Sequence, residues 1–316
     1  MQTISPGQWR GLRQTSLDGD VFAILAFDQR GTYRKMLPEG TTYEHAVDVK
    51  AEIVASLSAH ASAVLLDAEY GLKAALTMAR SSGLLMSLEK SGYSGDATYR
   101  RIEFIPEWSV ASIQNMGASA VKLLAYYHPD TGALAEEIEG VIAGVIKDSH
   151  AHGLPVFLEP MSYSLDASVS KESAAFAATR SKAVIENRLG ALGPDVLKME
   201  FPYDAAFHSN QDEWMAACEA ISAASEVPWV LLSAGVDFAT FAEQTRIACQ
   251  AGASGWLAGR AIWKEAVTMD APTRAQFLSV TAADRMKRLS ELSIQYARPW
   301  TQLYSMPANS TSWYKS

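Results

Sequence analysis

Pro194-Asp195-Val196-Leu197-Lys198-Met199-Glu200-Phe201-Pro202 places one lysine inside a short apolar run bounded by prolines. The run reads as a buried strand. Side chains alternate across a strand, so Val196, Lys198 and Glu200 face one way and Leu197 and Met199 the other. An ammonium among apolar strands is costly unless something neutralises or uses it. One use is chemical: a lysine in low-dielectric surroundings, or beside another cation, sheds its proton more readily and attacks carbonyl carbons. The plainer reading is a lysine that snorkels from a strand end to solvent.

Working outward, seven more short apolar runs share this character, at 21–27, 63–67, 83–89, 120–126, 155–160, 227–233 and 254–258. Helical patterns lie between and around them. The first covers much of 1–20. Others fall at 41–60, with Thr41 or Thr42 as cap, near 106–116, and at 134–152, 171–189, 212–225 and 239–251. A long terminal helix spans 272–296, with Pro272 suited to its first turn. Strands that alternate with helical crossovers build a parallel sheet, and eight of them close an α/β (β/α)8 TIM barrel. The expected architecture is one barrel domain over 1–316 with an N-terminal helix and a long C-terminal helix. A doubly wound open sheet is the alternative. No G-x-G-x-x-G follows the first run, which counts against a dinucleotide site.

Composition narrows the function classes. The chain has 316 residues, 48% hydrophobic and 20% charged, with a formal net charge of −8. That balance argues against nucleic acid or an anionic membrane as partner. The N-terminus shows no basic region followed by an apolar run, and no segment reads as a membrane span. Cys218 and Cys249 are isolated and read as reduced core residues of a cytoplasmic protein. Of the six histidines only His150 and His152 are close, and two residues apart on a helix they do not share a face. No metal site is expected.

In a barrel of this kind chemistry sits at the C-terminal strand ends. Those ends carry Asp28, Gln29, Asp67, Glu89, Lys122, Glu159, Lys198, Ser233 and Arg260. Each taken singly is an ordinary strand-end or loop residue. Acids and lysines converging on one mouth favour a site, because buried charges need partners. Ser233-Ala234-Gly235 and Ala258-Gly259-Arg260 end the last two strands, where these barrels often bind phosphate. Small residues let backbone N–H groups approach an anion, and Arg260 adds a bidentate donor. The alternative is a pair of glycine turns before helices. The polar loop through Gly92, Gly95, Arg100 and Arg101 is long enough to be functional.

These residues bring a family into view. The chain resembles the class I aldolases of the tagatose 1,6-bisphosphate aldolase family and is similar to the related sulfofructose phosphate aldolases. The matching stretches are Ala26-Phe27-Asp28-Gln29-Arg30-Gly31, Leu66-Asp67-Ala68-Glu69-Tyr70-Gly71, Glu89-Lys90-Ser91-Gly92-Tyr93, Ala120-Val121-Lys122-Leu123-Leu124, Phe157-Leu158-Glu159, the lysine strand, Leu232-Ser233-Ala234-Gly235-Val236 and Gly259-Arg260-Ala261. The first half and Thr311-Ser312-Trp313 look more like the tagatose branch. The stretches 227–237 and 251–261 look more like the sulfosugar branch.

Both branches cleave a ketohexose 1-phosphate to dihydroxyacetone phosphate and a three-carbon aldehyde. They differ in the far anion, phosphate or sulfonate. The resemblance implies that Lys198 forms a Schiff base with the C2 ketone and that Glu159 is the general acid/base. Lys122 would supply the neighbouring cation, and Asp28 would share the proton traffic. Gln29 would hold a hydroxyl, and Ser233, Gly235, Gly259 and Arg260 would bind the 1-phosphate. It also implies no cofactor, no metal and a small-molecule sugar phosphate as partner; a homo-oligomer is expected on general grounds, because oligomers are common. Arg30, Arg100 and Arg101 are weak candidates for the far anion. A sugar-phosphate isomerase or a non-catalytic sensor on the same fold are the competing functions.

Overall fold

Eight parallel strands close on themselves. They are β1 (Phe22–Phe27), β2 (Ala63–Leu66), β3 (Gly83–Ser87), β4 (Ala120–Tyr126), β5 (Val156–Met161), β6 (Val196–Met199), β7 (Trp229–Leu232) and β8 (Gly255–Ala258). Each pairs with the next, and β8 returns to β1 with Leu25 opposite Ala258. The computed structural model describes residues 1–90, 100–186, 188–308 and 311. The expected barrel is therefore the observed one. Ser91-Gly92-Tyr93, Gly95 and most of Thr311-Ser312-Trp313 fall outside the described residues.

Alternation along each strand sorts the core into two. Phe22, Ile24 and Ala26, Ala63 and Leu65, Leu85, Ala120, Phe157, Val196, Val230 and Leu257 fill the barrel. Their neighbours, such as Leu25, Leu123, Leu197 and Met199, pack outward under the helices. The principal helices are α1 (Pro6–Thr15), α2 (Tyr43–Leu57), α3 (Ala133–Ala151), α4 (Ala174–Ile185), α5 (Gln211–Ala224), α6 (Phe238–Gln250) and α7 (Ala283–Tyr296). Thr42 rather than Thr41 caps α2, accepting from the His45 N–H.

Three helix expectations need correction. The helix expected near 106–116 is only Val110–Asn115, because Glu107 takes a left-handed φ of 65° and Ser109 provides the N-cap. The one expected over 171–189 is α4, started by the Ser173 cap. The terminal helix carries a π-helical turn at Leu278–Ala282, between Ala271–Phe277 and α7.

The N-terminal mouth is closed. Ile4 and Leu12 join Trp300 and Tyr304 in the core that fills the barrel. A Cβ on Gly11 would meet the Ser119 carbonyl oxygen at 2.4 Å, so α1 packs this closely only with glycine there. Asp195 ties the closure together, accepting from Gln8 and His150 side chains and from the Val156 N–H. The opposite mouth stays open.

Candidate active site

On the inward face of β1, β4, β5 and β6 an apolar residue is followed by a charged one. Asp28 follows Ala26, Lys122 follows Ala120, Glu159 follows Phe157 and Lys198 follows Val196, each two residues on. The strand period alone therefore aims all four into the barrel. They are 8%, 1%, 6% and 4% exposed, so little solvent screens them.

Lys122 lies between three carboxylates. Its Nζ is 2.8 Å from Asp28 Oδ2, 2.7 Å from Glu89 Oε1 and 2.9 Å from Glu159 Oε2. Lys198 Nζ donates to that same Glu159 oxygen at 2.9 Å. One carboxylate oxygen thus touches both lysines. Burial alone would disfavour the Lys122 ammonium, but Asp28, Glu159 and Glu89 hold its proton well above the usual lysine range. Burial would likewise raise Asp28, yet Lys122, Lys198 and Arg30 hold its carboxyl well below the usual carboxylate range. Lys122 is a fixed cation and Asp28 a fixed anion.

Glu89, a strand-end residue in the sequence, belongs to this cluster. Its other oxygen accepts from the Leu124 N–H at 3.1 Å, and Arg30 bonds its carbonyl at 2.7 Å. Asp67 does not join, although its strand position points the same way. Its carboxylate pairs with the fully buried Lys50 of α2 and caps the Glu69 and Tyr70 N–H groups. Lys50 Nζ also donates to the carbonyls of Phe27 and Gln29, at 2.8 and 3.1 Å. The backbone on either side of Asp28 is thereby clamped.

A cavity of about 640 Å³ opens at this mouth. Lys198, Glu159, Gln29, Ser233, Gly259 and Arg260 all line it. Gln29 Oε1 is buried with no hydrogen-bond partner among the described residues, as a side chain awaiting a hydroxyl donor would be. Ala234 and Gly235 take left-handed φ values of 47° and 87°. A Cβ on Gly235 would sit 3.0 Å from Arg260 Cζ, so the guanidinium lies directly on this turn. The Gly259 N–H approaches Ser233 Oγ at 3.5 Å, joining the two loops.

The structure separates the cations considered for the far anion. Arg30 is bound to Glu89, Arg101 forms a surface pair with Glu137, and Arg100 lies over the Tyr126 ring at 4.4 Å. None of the three lines the cavity. Lys171 and Arg180 do, beside Glu200. Sequence reading passed over both, because each sits in a helix-like stretch where a cation normally faces solvent. Among the described residues no group of three His, Cys, Asp or Glu side chains is arranged to hold a metal ion, the carboxylates around Lys122 being occupied by its ammonium, and no helix is long and apolar enough to cross a membrane.

Comparison with known proteins points the same way. Residues 22–265 match the family model described as DeoC/LacD family aldolase. The chain is 32% identical to tagatose 1,6-diphosphate aldolase 1 of Streptococcus pyogenes serotype M1 over 95% of its own length and 99% of the relative's. It is 34% identical to the tagatose 1,6-diphosphate aldolase of Listeria monocytogenes over 96% of each. Among solved structures, the fructose-bisphosphate aldolase of Plasmodium falciparum superposes with a TM-score of 0.70 at 12% identity, covering 94% of this chain and 98% of that one. An archaeal fructose-1,6-bisphosphate aldolase, solved with its catalytic lysine bound to the carbinolamine intermediate, gives 0.59 at 18% identity, over 90% and 98%. At those identities the likeness is one of fold.

Proposed function

The chain belongs to the DeoC/LacD family of aldolases and is a carbon–carbon lyase, and from that premise we propose that it is a Schiff-base aldolase of ketohexose 1-phosphates bearing a second anion, with Lys198 as nucleophile. The observation that carries this reading is the contact of Lys198 Nζ with Glu159 Oε2, on the wall of a cavity that Arg260 also lines.

The steps follow from the neighbours. A proton passes from Lys198 Nζ to Glu159 across their 2.9 Å contact, leaving a neutral amine. Lys122 is no competing acceptor, because three carboxylates keep it protonated. The amine adds to the C2 carbonyl, Glu159 returns the proton, and water leaves as the iminium forms. The C4 hydroxyl then gives its proton to the carboxylate. The C3–C4 bond breaks, its electrons pass into the iminium as an enamine, and the aldehyde departs. Protonation at C3 and hydrolysis release dihydroxyacetone phosphate and free Lys198. Asp28 holds Lys122 against the same Glu159 oxygen that Lys198 meets, while Gln29 receives a substrate hydroxyl. Ser233, Gly235, Gly259 and Arg260 hold the 1-phosphate. No step needs a metal or cofactor.

Tagatose 1,6-bisphosphate is the lead substrate, with glyceraldehyde 3-phosphate as the aldehyde. Sulfofructose 1-phosphate, giving sulfolactaldehyde, is the second, on the resemblance of the β7 and β8 stretches. The test is a coupled assay for dihydroxyacetone phosphate with both substrates. Wild-type protein should cleave at least one. Lys198→Met should lose at least about 10⁴-fold in kcat with an unchanged circular dichroism spectrum. A variant that retains more than a tenth of wild-type turnover contradicts the assignment.

A further inference from the structure

Two cationic poles line the barrel-mouth cavity. Arg260, after β8, is one. The other is the pair Lys171 and Arg180, beyond β5. Lys171 Nζ is held 2.9 Å from Glu200 Oε1 and 3.3 Å from the Ser162 carbonyl, and its side chain is one-third exposed. Arg180 is 7% exposed, with Nη2 3.8 Å from the same Glu200 oxygen. Its Nε is buried without a hydrogen-bond partner among the described residues.

An unpartnered guanidinium donor in a cavity wall is costly unless a ligand satisfies it. Glu200 orients both cations but cannot neutralise both. Its other oxygen is occupied by the N–H and Oγ of Ser162. Burial would raise the Glu200 carboxyl, but Lys171, Arg180 and the Ser162 bonds lower it to about 2, so it stays charged. The trio keeps one net positive charge. Glu172 and Asp204 also line the cavity, as exposed and half-buried residues engaged with the Ser170 hydroxyl and the Ala206 N–H.

We infer that Lys171 and Arg180 seat the second, tetrahedral oxyanion of the substrate and set the preference for substrates that carry one. This rests on the Schiff-base reading, which gives the direction. The 1-phosphate lies at β7–β8, C2 at β6 and the C4 hydroxyl at Glu159 on β5. The distal carbon then points past β5, where Lys171 and Arg180 stand. Another hollow, of about 560 Å³, carries Arg30, Arg34 and Lys90, but neither Lys198 nor Glu159 lines it.

The experiment compares kcat/KM for tagatose 1,6-bisphosphate, sulfofructose 1-phosphate and tagatose 1-phosphate in wild type, Lys171→Met and Arg180→Lys. Lys171→Met should lower the ratio of two-anion to one-anion substrate about 30-fold, the effect of one charge-assisted hydrogen bond, mostly through KM. Arg180→Lys keeps the charge but not the Nε donor and should lower the ratio as well. Whichever two-anion substrate shows the fall identifies phosphate or sulfonate as the seated group. An equal loss on all substrates, or a wild type indifferent to the far anion, overturns this inference while leaving the aldolase standing. A folded wild type that cleaves none of them overturns the Schiff-base reading and this inference with it.

Discussion

Three buried lysines at one mouth differ only in their partners, and the partners decide what each can do. Lys122 directs its protons to three carboxylates. Lys50 meets Asp67 and two carbonyls, under the rings of Phe27 and Tyr33. Lys198 meets Glu159 and opens onto the cavity. Only the last is placed to reach a carbonyl carbon. Lys50 should therefore matter for stability and for holding Asp28. Lys50→Met strands the buried Asp67 charge and should cost about 3–5 kcal/mol in urea unfolding. Adding Asp67→Asn should recover much of that loss, since the amide oxygen still caps the Glu69 and Tyr70 N–H groups. A Lys50→Met protein as stable as wild type would mean the pair contributes nothing. Lys198 was legible because a charge in a period-two apolar run stands out. Lys50 was not singled out in the sequence, although it lies on the buried stripe of Ala46, Val49, Ile53 and Val54, because its partner Asp67 is brought to it only by the fold.

At the scale of elements, strands were read more surely than helices. All eight barrel strands lie where the apolar runs placed them, since burial on both faces keeps each run apolar apart from a few inward residues such as Lys122, Glu159 and Lys198. Helix ends were set instead by Ser109, Ser173 and the left-handed Glu107, which local caps decide and periodicity does not show. Asp67 shows the same limit at a strand end: the alternation is correct, but the last residue turns toward a helix the strand cannot report. The loops after β7 and β8 act as one element, because Gly235 lies against Arg260. Gly235→Ala must adopt a left-handed φ and displace the guanidinium. It should lower kcat/KM about 10-fold, mainly through KM for the phosphate, with only a small fall in melting temperature. Unaltered kinetics would detach this turn from phosphate binding.

For the whole molecule, the two ends of the barrel divide the work. One is sealed by α1 and the Trp300–Tyr304 segment around Asp195, and it contributes rigidity. The other collects charge from four strands and opens as a cavity. The barrel and the lysine strand were visible in the sequence. The Lys171–Arg180–Glu200 group was not, because it joins residues 171, 180 and 200 through tertiary folding alone. The central claim is that Lys198 forms the covalent intermediate. Mass spectrometry of the full chain, reduced with sodium borohydride in the presence and absence of dihydroxyacetone phosphate, tests it most directly. The account predicts one stable adduct, mapped to Lys198 and absent without the ketone. A folded protein that binds the ketone phosphate yet gives no adduct, or an adduct at Lys122 or Lys50, would contradict it.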